Sequence, residues 1–278
     1  MMKILFYLLL AYCMVCSCQT KQVKKTPILP LEQSDYRKLT TNAEMIAYLE
    51  MASNFSEMIN IEILDSTISG KRIPLIWLGT KGEKNNSKPS LLFFAQQHGN
   101  EPSGKEGLLL LINEFALGRH LDLLENVNLF IIPQTNPDGG DKNERRNSDG
   151  IDLNRDHLLF QSNEARLVQK VFDEYQPEVV VDIHEYYPYS EEWDKFGYSR
   201  NIDIQFGGPT NINIDSGIQK FFYTTAFPEV KQQVEKDGYS FFEYTLGYLP
   251  EGERLRRSTV DINDGRQSLG ITNTIAFI

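Results

Sequence analysis

SLLFFAQQHGNEP, residues 90–102, joins an apolar run to a polar turn and indicates the class of the fold. Residues 90–95 are almost continuously apolar, which is typical of a strand buried on both faces. Such strands occur in parallel sheets that helices cover on both sides. Because ligand sites in these sheets lie beyond the carboxyl ends of the strands, the residues after Ala95 are candidates for a functional site.

The alternation of apolar strands and amphipathic helices continues on both sides of this stretch. Strands are predicted at 61–64 and 73–78, joined as a hairpin by Ser69-Gly70, and buried strands at 127–132 and 179–183. Helices are predicted at 42–51, 106–117 and 164–175. This order predicts an α/β fold in one domain, with a mixed, partly parallel central sheet and helices on both of its faces.

The composition is that of an ordinary globular protein. Of the 278 residues, 41% are hydrophobic and 24% are charged, which excludes a disordered chain and a multi-span membrane chain. The chain has 28 Lys and Arg against 38 Asp and Glu, a net charge of −10. Because so acidic a chain repels phosphate backbones, we predict no nucleic-acid partner.

The first residues have the pattern of a secretion signal. Met1 to Lys3 give a positive start, and residues 4–15 form an apolar run shorter than the about 20 residues that span a bilayer. The next four residues, Val-Cys-Ser-Cys at 15–18, resemble a bacterial lipobox, which implies that Cys18 is lipidated and becomes the new N-terminus. A cleaved secretory peptide with a spare cysteine is the alternative.

We therefore predict three segments in the chain. Residues 1–18 are the lipoprotein signal with its lipobox cysteine, residues 19–34 are a polar tether, and residues 35–278 are the catalytic domain. The lipid anchor predicts a location at the cell envelope, on a bacterial membrane facing the periplasm or the cell surface. A mature chain that keeps one cysteine has no intramolecular disulfide.

Two of the four histidines stand where predicted buried strands end. His98 and Glu101 follow the strand at 90–95, and His184 follows the strand at 179–183. A single histidine at a strand end is more often a hydrogen-bonded core residue than a ligand. Two imidazoles, one carboxylate and an open fourth position are the usual arrangement of a catalytic zinc ion. The pair of strand ends therefore favours a zinc site.

A more specific pattern lies between the two histidines, RRNSDGIDLNR at residues 145–155. Together with the His-x-x-Glu of His98 and Glu101 and with the later His184, it resembles the zinc carboxypeptidases of the carboxypeptidase A/B kind. The resemblance covers residues 36–278. It implies that these three residues bind one zinc ion and that the partner is a peptide with a free C-terminus.

The resemblance also implies roles for residues in this stretch. Asn154 and Arg155 match the pair that binds the terminal carboxylate of the substrate, and a planar guanidinium can form two parallel hydrogen bonds with a carboxylate. Arg145 matches the arginine that polarises the scissile carbonyl, with Arg146 as the substitute if the loop is shifted by one residue. Asp152 matches the carboxylate that orients a zinc-bound histidine. Without the ligand motifs on either side, we would interpret this run of charged residues as a solvated loop.

These motifs lack the carboxylate that accepts a proton from the attacking water. The resemblance implies that it follows a late apolar strand, and the sequence ends at Ile278 inside such a run. We expect the base just beyond Ile278, in a longer enzyme of which this sequence is a C-terminally truncated form. Glu243, which follows Phe241 and Phe242, is the rival candidate.

Three functions are compatible with these residues. The first is a metallocarboxypeptidase that removes C-terminal residues from peptides at the cell envelope, where protein or peptidoglycan peptides could be the substrate. The second is a zinc-dependent deacylase or amidase of the same fold. The third is an inactive lipoprotein that binds zinc and peptide ends without the catalytic base.

Overall fold

The computed structural model of the chain describes residues 26–79, 87–186, 202–245 and 260–278. Its strands are β1 (Ile59–Ser66), β2 (Arg72–Leu78), β3 (Ser90–Ala95), β4 (Asn128–Ile132), β5 (Val179–Ile183), β6 (Ile204–Phe206), β7 (Phe241–Glu243) and β8 (Ile275–Phe277). Six of them form a central sheet in the order β1-β2-β4-β3-β5-β8.

The centre of this sheet is parallel. Strand β3 lies between β4 and β5 and runs parallel to both, so that Leu92 is paired with Phe130 of β4 and Val180 of β5. Strand β8 runs parallel to β5 on its other side. Because β3 and β5 are parallel neighbours, the segments that follow Ala95 and Ile183 meet at the same edge of the sheet.

The predicted hairpin is confirmed, with longer strands than the sequence indicated. Strands β1 and β2 are antiparallel, and β2 joins the sheet by antiparallel pairing with β4. The turn is closed by backbone hydrogen bonds of 2.8 Å from Thr67 N to Lys71 O and from Gly70 N to Thr67 O. Gly70 has a φ of 76°, in the left-handed region that favours glycine.

Helices cover both faces of the central sheet. They are α1 (Pro30–Gln33), α2 (Asn42–Phe55), α3 (Ser103–Ala116), α4 (Pro137–Lys142), α5 (Asn163–Tyr175), α6 (Ser216–Phe221), α7 (Phe227–Lys236) and α8 (Gly265–Gly270). Leu49 of α2 and Ile112 of α3 belong to one buried cluster with Ile131 of β4. Val168 of α5 belongs to a second cluster with Phe94 of β3. The predicted mixed α/β sheet with helices on both faces is confirmed.

The segment before residue 35 is only partly described. The predicted signal at 1–18, Cys18 and the first residues of the predicted tether lie outside the described residues. The end of that tether packs on the domain, because Leu29 is buried in the cluster of Leu49 and Pro30 begins α1. The packed domain thus includes residues before Asp35. In the described ranges, no helix combines the length and apolar character that crossing a bilayer requires.

A second, two-stranded sheet lies next to the end of β8. Strands β6 and β7 pair in parallel, and α6 and α7 connect them along the chain. Gly207, which follows β6, exchanges two backbone hydrogen bonds of 2.9 Å with Ile278, which follows β8. The small sheet is thereby fixed at the carboxyl edge of the central sheet.

Candidate active site

The three predicted zinc ligands converge at the carboxyl edge of the sheet. His98 and Glu101 lie in the turn between β3 and α3, and His184 is the residue after β5. The Glu101 carboxylate lies between the two imidazoles, with Oε1 2.7 Å from His98 Nδ1 and Oε2 2.8 Å from His184 Nδ1. One possible ligand atom from each residue lies within 4.8 Å of the other two. The structure thus brings the three residues together.

This set of donors fits a single zinc ion. Two imidazole nitrogens and one carboxylate oxygen are the donors of a catalytic zinc site, which leaves a fourth position for water or substrate. All three side chains are largely buried, and all three border one cleft. Across the ranges that the structure describes, this is the one group of histidine, cysteine and acidic side chains close enough to hold a metal ion.

The charges of these residues couple metal binding to pH. Burial disfavours a charged Glu101, but hydrogen bonds with His184 and His98 outweigh burial and lower the pKa of Glu101 to about 2. Burial also disfavours a charged His184, yet Asp182 and Glu101 raise the pKa of His184 to about 10. A metal ion must therefore displace a proton from His184, so we expect binding to weaken as the pH falls.

Glycine at position 99 lets the ligand turn approach the arginine loop at 145–155. Gly99 N donates to the Arg145 carbonyl at 3.2 Å. A Cβ atom at Gly99 would lie 2.1 Å from the carbonyl carbon of Gly139 and 2.5 Å from the carbonyl oxygen of Glu144. Both neighbours are backbone atoms, so only glycine allows this contact.

Residues 136–139, whose Asn-Pro-Asp-Gly sequence is a turn pattern, form the N-cap and first residues of helix α4. Asn136 is the N-cap, and its Oδ1 accepts a hydrogen bond from Gly139 N at 2.9 Å. Pro137 occupies the first helical position, where its missing N–H costs nothing. Asn136 Nδ2 also donates to the carbonyls of Gln97 and Arg145, at 3.1 and 3.3 Å. Asn136 therefore holds the ligand turn and the arginine loop together.

Asp152 connects His98 to Arg145. Its Oδ1 lies 3.2 Å from His98 Nε2, and its Oδ2 accepts a hydrogen bond from Arg145 Nε at 3.0 Å. Burial opposes the charged carboxylate, but the contacts with His98 and Arg145 outweigh it and lower the pKa of Asp152 below its usual value. A carboxylate at Nε2 keeps a proton on that nitrogen and leaves Nδ1 free to bind a metal. Asp152 thus lies where its predicted role requires.

Of the two adjacent arginines, Arg145 is the one that borders the site. Its Nη1 is 3.6 Å from Glu101 Oε1. Arg146 Nη1 instead donates to the Gly150 carbonyl at 2.8 Å, within its own loop. The geometry therefore favours Arg145 for the predicted polarising role, with no shift of the loop by one residue.

Asn154 and Arg155 border the same cleft as the metal ligands. Asn154 Oδ1 accepts a hydrogen bond from Gly265 N at 2.9 Å, and Asn154 Nδ2 lies 3.1 Å from His184 Nε2. Arg155 Nη1 donates to the Asn154 carbonyl at 2.5 Å, which uses one of its five N–H donors. The structure thus brings the predicted carboxylate-binding pair to the predicted metal site.

The cleft has a volume of about 810 Å³ and an apolar wall beside its polar residues. Ile183 of β5, Ile204 and Phe206 of β6, and Ile278 contribute to this wall. The wall lies where the small sheet meets the central sheet. It offers a surface for the apolar parts of a ligand.

The cleft is also lined by polar residues that the sequence did not indicate, among them Tyr244, Asp264 and Arg266. Asp264 is the N-cap of α8 and accepts a hydrogen bond from Gln267 N at 2.8 Å. Burial raises the pKa of Asp264 and lowers that of Arg266, which is 2% exposed. The Asp-Gly pair at 264–265 could have indicated a helix start, but no pattern in the sequence places α8 at this cleft.

Glu243, the rival candidate for the catalytic base, is not among the described residues that line the cleft. Its carboxylate accepts a hydrogen bond from the Tyr223 hydroxyl at 2.9 Å. Successive side chains of a strand point to opposite faces, and the next residue, Tyr244, is the one that lines the cleft. The structure does not bring Glu243 to the metal ligands. The expectation of a base beyond Ile278 stays a prediction.

Comparison with known families agrees with this geometry. A family model described as zinc carboxypeptidase matches residues 45–191, which is more than half of the chain. This chain belongs to the zinc carboxypeptidase family. The matched range contains the three candidate ligands and the arginine loop. The metal of the family is zinc, and the donors of His98, Glu101 and His184 fit it.

Fungal carboxypeptidases are among the sequence relatives of this zinc carboxypeptidase family member, and bacterial carboxypeptidase structures share its fold. Carboxypeptidase 2 of Trichophyton rubrum is 27% identical over 217 residues, which are 75% of this chain and 40% of that protein. The metallo-carboxypeptidase from Burkholderia cenocepacia superposes with a TM-score of 0.63 at 20% identity, covering 84% of this chain and 58% of that one.

A metallo-carboxypeptidase from Pseudomonas aeruginosa, in complex with (2-guanidinoethylmercapto)succinic acid, superposes with a TM-score of 0.60 at 21% identity. The superposition covers 84% of this chain and 57% of that one. At this identity the likeness to the two bacterial structures shows a common fold. The chain spans about 40% of the length of the Trichophyton carboxypeptidases that it matches.

Proposed function

We propose that this chain is the catalytic part of a zinc carboxypeptidase, which removes the last residue of a peptide by hydrolysis. One observation carries the proposal: His98, Glu101 and His184 border the same cleft as Asn154 and Arg155. A zinc site therefore adjoins side chains that can bind the end of a peptide.

The terminal carboxylate is the part of the substrate that we assign to Arg155. Its planar guanidinium can donate two parallel hydrogen bonds to the two carboxylate oxygens, and Asn154 Nδ2 supplies a further donor. An internal peptide carbonyl has one oxygen and no net charge, so this pair distinguishes a chain end from the rest of the chain. Binding the end beside the metal selects the last peptide bond for hydrolysis.

Arg145 supports the reaction by its charge. Its guanidinium borders the metal ligands, and 43% of its side chain is exposed to solvent or ligand. When bound, zinc polarises the scissile carbonyl and lowers the pKa of a water molecule to about 7. A fixed cation beside the carbonyl oxygen stabilises the negative charge that develops there.

A comparison of substrates tests this function. The test uses the zinc-loaded product of the whole reading frame, because we predict the catalytic base beyond Ile278. It is incubated with peptides that have a free C-terminus, with the same peptides amidated at the C-terminus, and with N-acyl amino acids. We expect release of single residues from the free peptides and none from the amidated ones. Turnover of the N-acyl amino acids alone would support a deacylase instead. Zinc binding near one ion per chain without any turnover would support a binding protein.

Arg155→Gln is the variant that tests the binding of the chain end, and Arg146→Gln is its matched control. Loss of charge-assisted hydrogen bonds costs about 2 to 3 kcal/mol, which lowers kcat/KM for free peptides about 30- to 150-fold. Arg146 bonds only within its loop among the contacts seen, so removing the same charge there should leave kcat/KM nearly unchanged. Equal losses in the two variants would contradict the assigned role of Arg155.

We propose further that the enzyme acts at the bacterial cell envelope and is anchored by a lipid at Cys18. The support is the positive start, the apolar run at 4–15 and the lipobox-like residues 15–18. Growth with a radioactive fatty acid tests the anchor, because the wild-type chain should carry the label and Cys18→Ala should not. Labelling of Cys18→Ala, or an unlabelled wild-type chain, would argue against it.

A further inference from the structure

Three buried polar side chains connect the metal site to the protein interior. Asp182, Gln97 and His157 are each at most 1% exposed. Asp182 Oδ1 lies 3.1 Å from His184 Nε2, and Gln97 Nε2 donates to the two Asp182 oxygens at 2.8 and 2.9 Å. His157 Nε2 lies 2.6 Å from Gln97 Oε1. None of these three residues takes part in the proposed binding or hydrolysis.

Gln97 fixes the direction of the hydrogen bonds at the interior end. A carboxylate only accepts, so the amide nitrogen of Gln97 faces Asp182 and its amide oxygen faces His157. An amide oxygen cannot donate, so the proton between Gln97 and His157 belongs to His157 Nε2. His157 Nδ1 is buried and has no hydrogen-bond partner among the described residues, which suits the unprotonated nitrogen of a neutral imidazole.

The same reasoning fixes the tautomer of His184 at the metal end. The Asp182 carboxylate beside Nε2 accepts a proton there, so a neutral His184 carries its proton on Nε2. Its Nδ1, which faces Glu101 at 2.8 Å, is then free to bind a metal. Asn154 Nδ2 also lies 3.1 Å from Nε2, but an amide nitrogen does not accept that proton.

We propose that Asp182, Gln97 and His157 are positioning residues, which hold His184 in the tautomer and orientation that bind zinc. The inference rests on the proposed zinc site and extends it into the interior. Asp182 acts on His184 directly, whereas Gln97 and His157 act by keeping the Asp182 carboxylate in place. Gly265 packs closely against this group of side chains. A Cβ atom at this position would lie 3.0 Å from Asp182 Oδ2 and 3.2 Å from His157 Nε2.

The zinc affinity of the full chain, measured by competition with a chromogenic chelator, tests this proposal. Loss of the outer partner of a metal-binding histidine weakens metal affinity about 10- to 100-fold, and we expect a loss in that range for Asp182→Asn. His157→Phe keeps a ring but removes the donor one link further away, so the expected loss is smaller, about three- to tenfold. His157→Gln offers a new donor to Gln97 and should recover most of the affinity.

Asp156→Asn is the matched control, because Asp156 is a buried carboxylate next to His157 whose side chain makes no hydrogen bond to Asp182, Gln97 or His157 in the described part of the chain. Its oxygens accept hydrogen bonds from Gln161 N and from N and Oγ of Ser162, at 2.7 to 2.9 Å. Its zinc affinity should equal that of the wild type. The visible spectrum of the cobalt-substituted chain, which reports ligand geometry, should change in Asp182→Asn and stay unchanged in Asp156→Asn.

Two results would overturn the proposal. One is unchanged zinc affinity and cobalt spectra in Asp182→Asn and His157→Phe variants that circular dichroism shows to be folded. The other is an equal loss in His157→Phe and His157→Gln, which would make His157 a packing residue. The assay needs no turnover, so a chain that follows the expected affinities yet hydrolyses no peptide would refute the proposed function and leave the positioning role intact.

If the variants do not fold, the histidine tautomers of the wild-type chain test the proposal. Nitrogen chemical shifts distinguish the two tautomers of a histidine, and the chain has only four histidines to assign. The proposal requires a proton on Nε2 of His157, and on Nε2 of His184 in the zinc-loaded chain. A proton on Nδ1 of His157 would contradict it.

Discussion

Asp152→Asn separates metal binding from the charge of the arginine loop. The carboxylate touches two groups, His98 Nε2 at 3.2 Å and Arg145 Nε at 3.0 Å. An asparagine has the same shape but one acceptor oxygen and no charge, so it can satisfy only one of the two contacts. His98 then loses the partner that keeps its proton on Nε2, or Arg145 loses the anchor of its guanidinium.

The structure gives the size of the expected effect. The Asp152 side chain is 12% exposed, so solvent compensates little for the lost contact. Loss of such a carboxylate weakens metal affinity about 10- to 100-fold, which is about 1.4 to 2.7 kcal/mol. A chelator competition at pH 7 measures this directly, without any assumption about the substrate.

Arg145→Gln is the control for this experiment. It removes the other partner of Asp152 but leaves the contact between Asp152 and His98. Because Arg145 Nη1 is 3.6 Å from Glu101 Oε1, its positive charge opposes a cation at the site. Zinc affinity should therefore stay the same or rise in Arg145→Gln, while hydrolysis slows. Wild-type zinc affinity in a folded Asp152→Asn variant, or an equal fall in Arg145→Gln, would refute the reasoning.

Three further substitutions test other parts of the structure. Gly265→Ala should weaken zinc binding in the chelator assay and lower the free energy of unfolding by about 1 to 3 kcal/mol, since its Cβ would press on Asp182. Leu109→Ala, at a fully buried core position, should lower the free energy of unfolding in urea by about 2 to 5 kcal/mol. Glu44 has a pKa of about 2 because it bonds with Lys38 and with Thr41, the N-cap of α2. Since an unfolded glutamate titrates near 4.5, its contribution is present above that pH and is lost as the pH falls toward 2. Glu44→Gln should cost at most about 1 kcal/mol at pH 7, because the carboxylate is largely exposed, and less at pH 3. A constant difference between wild type and Glu44→Gln from pH 7 to 3 would contradict this.

The apolar runs in the sequence predicted the strands that carry the site, but they did not indicate the order of these strands in the sheet. Residues 90–95 and 179–183 are apolar runs with clear boundaries in the sequence, and the observed strands begin and end at these same residues. Strand β4 lies between them in the chain, yet β3 is the direct neighbour of β5 in the sheet. That adjacency brings His98 to His184. The resemblance of the motifs implied it, whereas periodicity alone could not.

The residues that sequence reasoning missed are those whose roles depend on tertiary contacts. Asn136 belongs to an Asn-Pro-Asp-Gly sequence, which is a turn pattern, but the same residue types can also cap and begin a helix, as they do here. His157 and Gln97 belong to no sequence motif that would indicate their contact. A hydrogen bond between residues 60 positions apart produces no periodic pattern in the sequence. Such side chains become visible only when their donors and acceptors are followed in space.

The two metal-binding histidines are held from different parts of the protein, and this difference has a consequence for function. His98 is held by Asp152, which also binds Arg145 of the loop at the cleft. His184 is held by Asp182, which also accepts hydrogen bonds from the buried Gln97. A contact between substrate and Arg145 can therefore reach His98 through Asp152, whereas the loop reaches His184 at a different residue, Asn154, whose Nδ2 lies 3.1 Å from His184 Nε2. Asp152→Asn should therefore change turnover and zinc affinity together. His157→Phe should lower zinc affinity while leaving the KM of the remaining zinc-loaded enzyme as it was.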